Sequence, residues 1–294
     1  MAEILDGKVA AAGIRSEVSS EVAELRERGV SVRLDVVLVG DDPASVTYVG
    51  MKQRDCAEVG IQSEVHRFDA GVAQGELAAL VDRLSDDAAV SGFFVQLPLP
   101  VGLKALPLIS RISPAKDVDG LSPESAGRLV LGLPSLLPST PHGVIRLLRR
   151  NGVELAGREV VVVGRSNLVG KPLAQLLLRE NATVTVCHSR SRGLPAVTRR
   201  AEVLVVAAGQ REMVGEEHVK RGAVVVDVGI HRTEEGRLVG DVRFDEVEPE
   251  ATWISPVPGG VGPMTRAMLL HNTVRAARAS SRSASGSGSA NFPS

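Results

Sequence analysis

The fold of this 294-residue chain can be predicted from residues 160–172, Val160-Val161-Val162-Val163-Gly164-Arg165-Ser166-Asn167-Leu168-Val169-Gly170-Lys171-Pro172. Four successive valines are typical of a strand that is buried on both faces, as in a parallel sheet. A glycine-containing turn follows them, and Pro172 suits the first turn of a helix. The order of strand, turn and helix predicts a βα unit whose helix N-terminus can bind a phosphate group.

We expect each of three small residues in this turn to have a different structural role. Gly164 permits the tight bend, Ser166 lets the backbone approach a ligand, and Gly170 lets the helix pack close to the strand. The spacing is G-x-S-x-x-x-G instead of G-x-G-x-x-G, and many strand–helix turns contain glycine for geometry alone. The correct order of the flanking elements favours a nucleotide site over a purely geometric turn.

The end of the next strand indicates which nucleotide is bound. Its sequence is Cys187-His188-Ser189-Arg190-Ser191-Arg192, which contains no acidic residue. An NAD site usually places Asp or Glu here for the ribose hydroxyl, whereas an NADP site places basic and hydroxyl groups around the 2′-phosphate. Arg165, Ser189 and Arg190 could enclose a 2′-phosphate, which predicts NADP over NAD; the alternative is a solvated basic loop.

The same alternation of strands and helices extends through both halves of the chain and implies parallel sheets. We expect an α/β protein of two domains with parallel sheets, the second a Rossmann-like, doubly wound nucleotide-binding domain, with the active-site cleft between them. The predicted strands are Arg33–Gly40, Gln62–Phe68, Ser91–Leu97, Arg158–Val163, Ala182–Cys187, Val203–Ala207 and Ala223–Val228, and the predicted helices are Val46–Val59, Gln74–Leu84, Lys171–Arg179 and Pro263–Arg278.

Composition excludes several classes of function. A net charge of −1 and an aromatic content of 2% provide neither the electrostatic attraction nor the stacking surfaces that nucleic-acid binding requires. The two cysteines and six histidines are scattered, without the spacing of a disulfide framework or a zinc site. Neither a signal peptide nor a membrane span is recognisable. We expect a soluble, cytoplasmic protein with no metal, no nucleic-acid partner and no membrane partner.

A second group of polar residues lies in the first half. Tyr48, Lys52 and Cys56 are four residues apart on a predicted helix and so share one face. A tyrosine and a lysine in such positions are more often structural. Their context favours a site, because Gln96 ends a strand before Pro98 and Pro100, and Lys116-Asp117-Val118-Asp119-Gly120 forms a turn.

Six motifs in order resemble one family, that of the bifunctional methylenetetrahydrofolate dehydrogenases/methenyltetrahydrofolate cyclohydrolases. They are Tyr48-Val49-x-x-Lys52-x-x-x-Cys56, Gln96-Leu97-Pro98-Leu99-Pro100, Lys116-Asp117-Val118-Asp119-Gly120, Gly164-Arg165-Ser166, Asp227-Val228-Gly229-Ile230 and Pro256-Val257-Pro258-Gly259-Gly260-Val261-Gly262-Pro263-Met264-Thr265. The sequence differs from the usual pattern at Ser139, Ser191 and Arg243 and in its serine-rich tail.

The resemblance implies NADP-dependent oxidation of 5,10-methylenetetrahydrofolate and hydrolysis of the methenyl product to 10-formyltetrahydrofolate. It assigns catalysis to Lys52, assisted by Tyr48, Gln96 and Asp119, and it treats Cys56 as a packing residue. The implied folate-binding residues are Tyr48, Gln96, Asp119, Gly259 and Gly260, and the implied NADP-binding residues are Gly164, Arg165, Ser166, Gly170, Ser189 and Ile230.

The resemblance also implies the domain bounds and a homodimer. The folate-substrate domain would comprise residues 1–138 plus 263–278, the NADP-binding domain 139–262, and a disordered tail 279–294. Two alternatives remain at this point. One is an NADP dehydrogenase of similar build that acts on shikimate-like acids, and the other is a non-catalytic nucleotide sensor.

Overall fold

The computed structural model describes residues 1–284, in which helices and strands alternate along the chain. In chain order the elements are β1 (Glu3–Ile4), α1 (Gly7–Glu27), β2 (Arg33–Val39), α2 (Pro43–Glu58), β3 (Gln62–Phe68), α3 (Gln74–Asp86), β4 (Gly92–Val95), α4 (Ala105–Ile109), α5 (Pro123–Val130), α6 (Ser139–Arg150), β5 (Glu159–Val163), α7 (Gly170–Arg179), β6 (Thr183–Cys187), α8 (Leu194–Thr198), β7 (Val203–Val206), a 3-10 turn (Glu216–His218), β8 (Val224–Asp227), β9 (His231–Arg232), β10 (Leu238–Val239), α9 (Phe244–Val247), β11 (Trp253–Ile254) and α10 (Val261–Ala284). Every predicted strand is present, with ends shifted by a few residues.

The chain divides into two compact units, each formed by separate segments. Unit 1 comprises Met1–Ala12 and Thr140–Thr265. Within the described residues, unit 2 comprises Gly13–Ser139 and Arg266 to Ala284. The sequence placed residues 1–12 with the folate-substrate domain, but strand β1 pairs with β11 and so belongs to the sheet of unit 1. A strand of two residues has no periodic pattern by which it could be assigned in advance.

Unit 1 is built on a six-stranded sheet with the order β1-β11-β8-β7-β5-β6. All of its strand pairs are parallel. Strand β5 lies between β7 and β6, and its valines at 160–163 are almost fully buried. The predicted doubly wound, parallel nucleotide-binding fold is confirmed.

Unit 2 contains a three-stranded parallel sheet with β2 at its centre. Strand β2 pairs with β3 from Arg33↔Gln62 to Val39↔Phe68, and with β4 on its other side. Val37, Val39, Phe93 and Val95 pack there with buried residues of α3, namely Leu77, Leu80, Val81 and Leu84. This core fixes the carboxyl ends of β2 and β4, from which the candidate site is built.

Helix α2 follows strand β2 and begins earlier than predicted. The carboxylate of Asp42 accepts a hydrogen bond from Ser45 N at 2.8 Å and caps the helix, with Pro43 in its first turn. The helix ends before Gly60, which has a φ of +81°. The side chains of Asp42 and Pro43 therefore form the start of the helix.

Two segments differ from what their sequences suggest. The uncharged stretch Leu129–Ile145 contains Pro134, Pro138 and Pro141 and would suit a connection between domains, but α6 begins at Ser139 with Pro141 in its first turn, where proline is tolerated. Helix α10 continues to Ala284 rather than ending at Arg278. The predicted start of the tail at Ala279 is therefore too early, because alanine and arginine sustain the helix between the serines. Residues 285–294 of that tail lie outside the described residues.

Within residues 1–284, no helix combines the length and the apolar character needed to cross a membrane.

Candidate active site

Helix α2 presents Tyr48 and Lys52 on one face, as their spacing predicted. The Lys52 side chain is only 7% exposed, and its Nζ lies 5.1 Å from the centroid of the Tyr48 ring. A buried amine without polar partners would be costly, so the groups around Nζ decide what this lysine can do.

Gln96 provides the hydrogen-bonding partner of this amine. Lys52 Nζ donates to Gln96 Oε1 at 3.3 Å, and Gln96 Nε2 donates to Leu97 O at 2.7 Å. The peptide between Leu97 and Pro98 is cis. The structure thus brings Lys52 and Gln96 together across 44 residues of sequence.

Phe94 is a neighbour of Lys52 that sequence reasoning missed. Its ring centroid lies 3.8 Å from Lys52 Nζ, and its side chain is 2% exposed. Residues two apart on a strand point to the same face, so Phe94 and Gln96 share one. This alternation along the strand is the signal in the sequence from which the contact between Phe94 and Lys52 could have been predicted.

The charges of Lys52 and Asp119 are coupled. Burial lowers the pKa of Lys52, and the nearby carboxylate of Asp119 acts against this effect. Burial raises the pKa of Asp119, and Lys52 in turn lowers it. Desolvation dominates for both groups, so each has a larger neutral fraction near neutral pH than it would have in water. A lysine of this kind can accept and return a proton.

An ion pair beside Tyr48 was not predicted. Arg266 Nη1 donates to both carboxylate oxygens of Asp55 at 3.0 and 2.7 Å. Burial raises the pKa of the Tyr48 phenol to about 12, against the opposing charge of Arg266. Tyr48 is therefore a neutral hydroxyl donor at physiological pH. The partners of the ion pair are 211 residues apart, and no local pattern links them.

Cys56 shares the face of α2 with Lys52 but is completely buried. Burial raises the pKa of its thiol to about 12, which leaves almost no thiolate at neutral pH. These properties agree with a packing residue. Cys56 and Cys187 are both buried free thiols.

In unit 1, the turn after β5 has the close contacts that its glycines predicted. Gly164 has a φ of +129°, and a Cβ there would lie 2.1 Å from Ala207 O. A Cβ on Gly170 would lie 2.1 Å from Gly164 O. Both positions therefore exclude any side chain, and they keep the N-terminus of α7 against the end of β5.

Ser166 does more than leave space for a ligand. Its Oγ accepts hydrogen bonds from Val169 N at 3.1 Å and from Gly170 N at 3.4 Å. The serine thereby stabilises the turn before α7. Arg165 precedes it and is exposed, so its guanidinium is accessible to an anion.

The other residues predicted to bind NADP lie at the same edge of the sheet. Gly164 N donates to Cys187 O at 2.8 Å, which joins the ends of β5 and β6. Exposed Ser189 follows β6. Ile230 follows β8, and its side chain is 60% exposed. The carboxyl edge of this sheet is where nucleotides bind in such folds.

Gly259 and Gly260 belong to unit 1, in the loop between β11 and α10. Gly259 has a φ of +115°, and a Cβ on Gly7 would lie 1.7 Å from Gly260 O. The close approach that the structure shows here is thus to the start of helix α1. Tyr48, Lys52, Gln96 and Asp119 all belong to unit 2.

Among residues 1–284, one group of side chains has the composition of a metal site. The ligand atoms of Asp35, Glu64 and His66 lie within 4.8 Å of one another. Arg33 occupies this group, because it donates to Asp35 at 2.7 and 2.8 Å and to Glu64 at 2.6 Å. The acids are paired with a fixed cation, which opposes the binding of a second cation.

Comparison with known proteins agrees with both halves of this description. Residues 5–119 match the family model described as tetrahydrofolate dehydrogenase/cyclohydrolase, catalytic domain, and residues 138–281 match that of the NAD(P)-binding domain. The bifunctional protein FolD 1 of Rubrobacter xylanophilus is 72% identical over 278 residues, which cover 95% of this chain and 98% of that protein.

Solved structures show the same similarity. A bifunctional FolD methylenetetrahydrofolate dehydrogenase/cyclohydrolase from Campylobacter jejuni is 46% identical, with a TM-score of 0.93 and coverage of 95% of this chain and 99% of that one. A Trypanosoma brucei dehydrogenase-cyclohydrolase, solved with NADP cofactor and an inhibitor, is 39% identical, with a TM-score of 0.91 and coverage of 96% and 99%. The resemblance found from the six motifs is confirmed: the chain belongs to the tetrahydrofolate dehydrogenase/cyclohydrolase family.

Proposed function

We propose that this chain is a bifunctional enzyme of one-carbon folate interconversion. It oxidises 5,10-methylenetetrahydrofolate to 5,10-methenyltetrahydrofolate with NADP, and it hydrolyses that product to 10-formyltetrahydrofolate. The observation that carries the proposal is the buried Lys52 amine held by Gln96, in a chain that matches both the catalytic and the NAD(P)-binding family models. Family membership excludes the shikimate-type alternative, and the intact Lys52–Gln96 pair argues against a non-catalytic sensor.

NADP fits the carboxyl edge of unit 1. The turn that contains Gly164 and Gly170 is packed so closely that a Cβ at either position would clash with the backbone. Arg165 and Ser189 are exposed. The segment after β6 contains no acidic residue. The solved Trypanosoma brucei relative contains NADP. When bound, NADP accepts the hydride that the one-carbon bridge of the folate loses. The residues proposed to bind it are Gly164, Arg165, Ser166, Gly170, Ser189 and Ile230.

Lys52 moves the proton in the hydrolytic step. Water adds to the cationic methenyl carbon, a C–O bond forms, and neutral Lys52 Nζ accepts the proton that the water loses. The new hydroxyl group then loses its remaining proton as the C=O bond forms, the bond from that carbon to N5 breaks and N5 takes up a proton. The formyl group stays on N10, and one proton is released overall. The lowered pKa of Lys52 increases the fraction of neutral amine that can start this sequence.

The neighbouring residues orient the amine and the substrate. Gln96 positions Lys52, and the Tyr48 ring packs against the folate. Asp119 accepts hydrogen bonds from the amino and ring N–H groups of the pterin, for which a carboxylate is well suited. Gly259 and Gly260 are proposed to provide backbone next to the substrate. A homodimer and a cytoplasmic location remain predictions.

The test is to incubate the protein with methylenetetrahydrofolate and either NADP or NAD, while absorbance follows the formation and decay of the methenyl product. We expect methenyl formation that is faster with NADP, followed by decay above the rate without enzyme. Absence of both phases would reject the proposed function.

A further inference from the structure

The carboxyl edge of the sheet in unit 1 has a strand to which the sequence assigned no binding residue. The proposed NADP residues follow β5, β6 and β8, whereas β7 lies between β8 and β5 in the sheet order. The segment that follows β7 therefore borders the same edge. Ala207 contacts the glycine turn directly, because its N donates to Val163 O at 2.7 Å and its carbonyl oxygen fills the space beside Gly164.

A buried carboxylate fixes this segment. Asp241 Oδ2 accepts hydrogen bonds from Ala208 N at 2.7 Å and from Gly209 N at 2.9 Å. Asp241 is completely buried. Two charge-assisted hydrogen bonds to successive backbone amides determine the path of the chain there.

The same carboxylate also contacts the segment after β8. A Cβ on Gly229 would lie 2.5 Å from Asp241 Oδ1, so the backbone before Ile230 lies against this side chain. His231 Nε2 is 2.7 Å from Asp241 Oδ1. Since Oδ2 is occupied by the amides of the first segment, His231 completes the coordination of the carboxylate and joins the two segments through it.

We propose that His231 and Asp241 are positioning residues for the NADP site, which they act on by holding residues 207–209 and 229–231 in register at the sheet edge. This inference rests on the proposed function, and it assigns no contact with NADP to either residue. It predicts that substitution of these residues lowers the affinity for NADP and leaves the rate of hydrolysis unchanged, because hydrolysis of methenyltetrahydrofolate uses no NADP.

The experiment compares His231→Ala with His231→Gln in the full-length chain. The alanine variant removes the donor to Asp241, and a hydrogen bond to a charged group corresponds to about a tenfold effect. We expect the KM and the directly titrated Kd for NADP to rise about tenfold, with unchanged hydrolysis of added methenyltetrahydrofolate. The glutamine variant keeps an N–H donor and should retain most of the affinity.

Arg232→Ala is the matched control, because Arg232 is the next residue of the same hairpin and its exposed side chain donates to Gly236 O. It should change neither NADP affinity nor hydrolysis. Unchanged NADP affinity in His231→Ala would overturn the proposal, and so would an equal loss of NADP binding and hydrolysis. A wild-type protein that binds NADP but does not oxidise methylenetetrahydrofolate would reject the proposed function while the binding titration still tests His231.

Discussion

Gln96 orients Lys52 and is itself oriented by the main chain. Its Oε1 accepts from Lys52 Nζ at 3.3 Å, while its Nε2 donates to Leu97 O at 2.7 Å. A rotated amide would place its N–H groups against the lysine and its oxygen against a carbonyl, so only one orientation satisfies all groups. The amine is thus held by a neutral acceptor, which adds no negative charge that would favour protonation.

Gln96→Glu tests this point. A carboxylate beside the amine favours the ammonium form and raises the pKa of Lys52. If the neutral amine is the active form, the rising part of the cyclohydrolase rate–pH profile should move to higher pH. Steady-state hydrolysis between pH 6 and about 10, corrected for the reaction without enzyme, measures this shift. Gln74→Glu is the control, since Gln74 bridges two backbone groups of Lys104. An unmoved profile would contradict the proposed role of Lys52.

Lys52→Met separates the two activities. Loss of the proton acceptor should reduce cyclohydrolase activity by about 10²–10⁴-fold, which is roughly 3 kcal/mol or more of transition-state stabilisation. The oxidation depends more on alignment of the reactants, so it should survive in part and methenyltetrahydrofolate should accumulate. Exposed Lys104→Met should behave like the wild type. Equal loss of both activities would mean that Lys52 mainly holds the substrate.

Arg165→Ala and Ser189→Asp test the choice of nucleotide. The first removes a cation from the proposed 2′-phosphate site, and the second places a negative charge in it. Both should raise the KM for NADP strongly and leave the weak use of NAD almost unchanged. Arg200→Ala is a suitable control, because this exposed arginine pairs with Glu159 at the other end of β5. A wild-type preference for NAD would refute the prediction.

Asp227 should make the stability of the protein depend on pH. Burial raises its pKa to about 6, despite hydrogen bonds from the backbone of Asp241, Val242 and Gly229. Because the folded pKa is raised, the contribution of this group is fully present below about pH 4 and is lost as the pH rises through about 6. The loss is about 3 kcal/mol in the free energy of unfolding.

The measurement is the difference in unfolding free energy between the wild type and Asp227→Asn, taken by denaturant titration from pH 4 to pH 7. Asparagine cannot ionise, so the difference should change over this range in favour of the variant. Asp245→Asn, at an exposed position in α9, should show no comparable trend. A difference that stays constant with pH would show that Asp227 does not titrate in this range.

The strands β2 to β8 could be predicted, and the central ones most clearly, because buried parallel strands are short, valine-rich runs that end in glycine or polar residues. Val160–Val163 is the clearest case. The face shared by Tyr48 and Lys52 followed from helical spacing, which is also a local property. Gln96 was found through its position at a strand end and through the family resemblance, since its partner is 44 residues away.

What the sequence did not reveal depends on contacts between distant segments. Arg266 and Asp55 form a close ion pair across 211 residues, and neither position has a distinctive neighbourhood. The hydrogen bonds of Asp241 to residues 208 and 209 likewise appear only when the segment after β10 lies against the segment after β7. Strand β1 was missed because two residues become a strand only through their partner β11.

The pairing of β1 with β11 also restricts the order of events during synthesis. Glu3 is translated 250 residues before its partner Trp253. Unit 2 likewise includes α10 from Arg266 to Ala284. Neither unit can therefore be completed until most of the chain has been translated. The Val-rich strands of the nascent chain are exposed to aggregation until α10 emerges from the ribosome. Chains that terminate prematurely before residue 253 should consequently be substrates for chaperones and proteases instead of yielding one intact half of the enzyme.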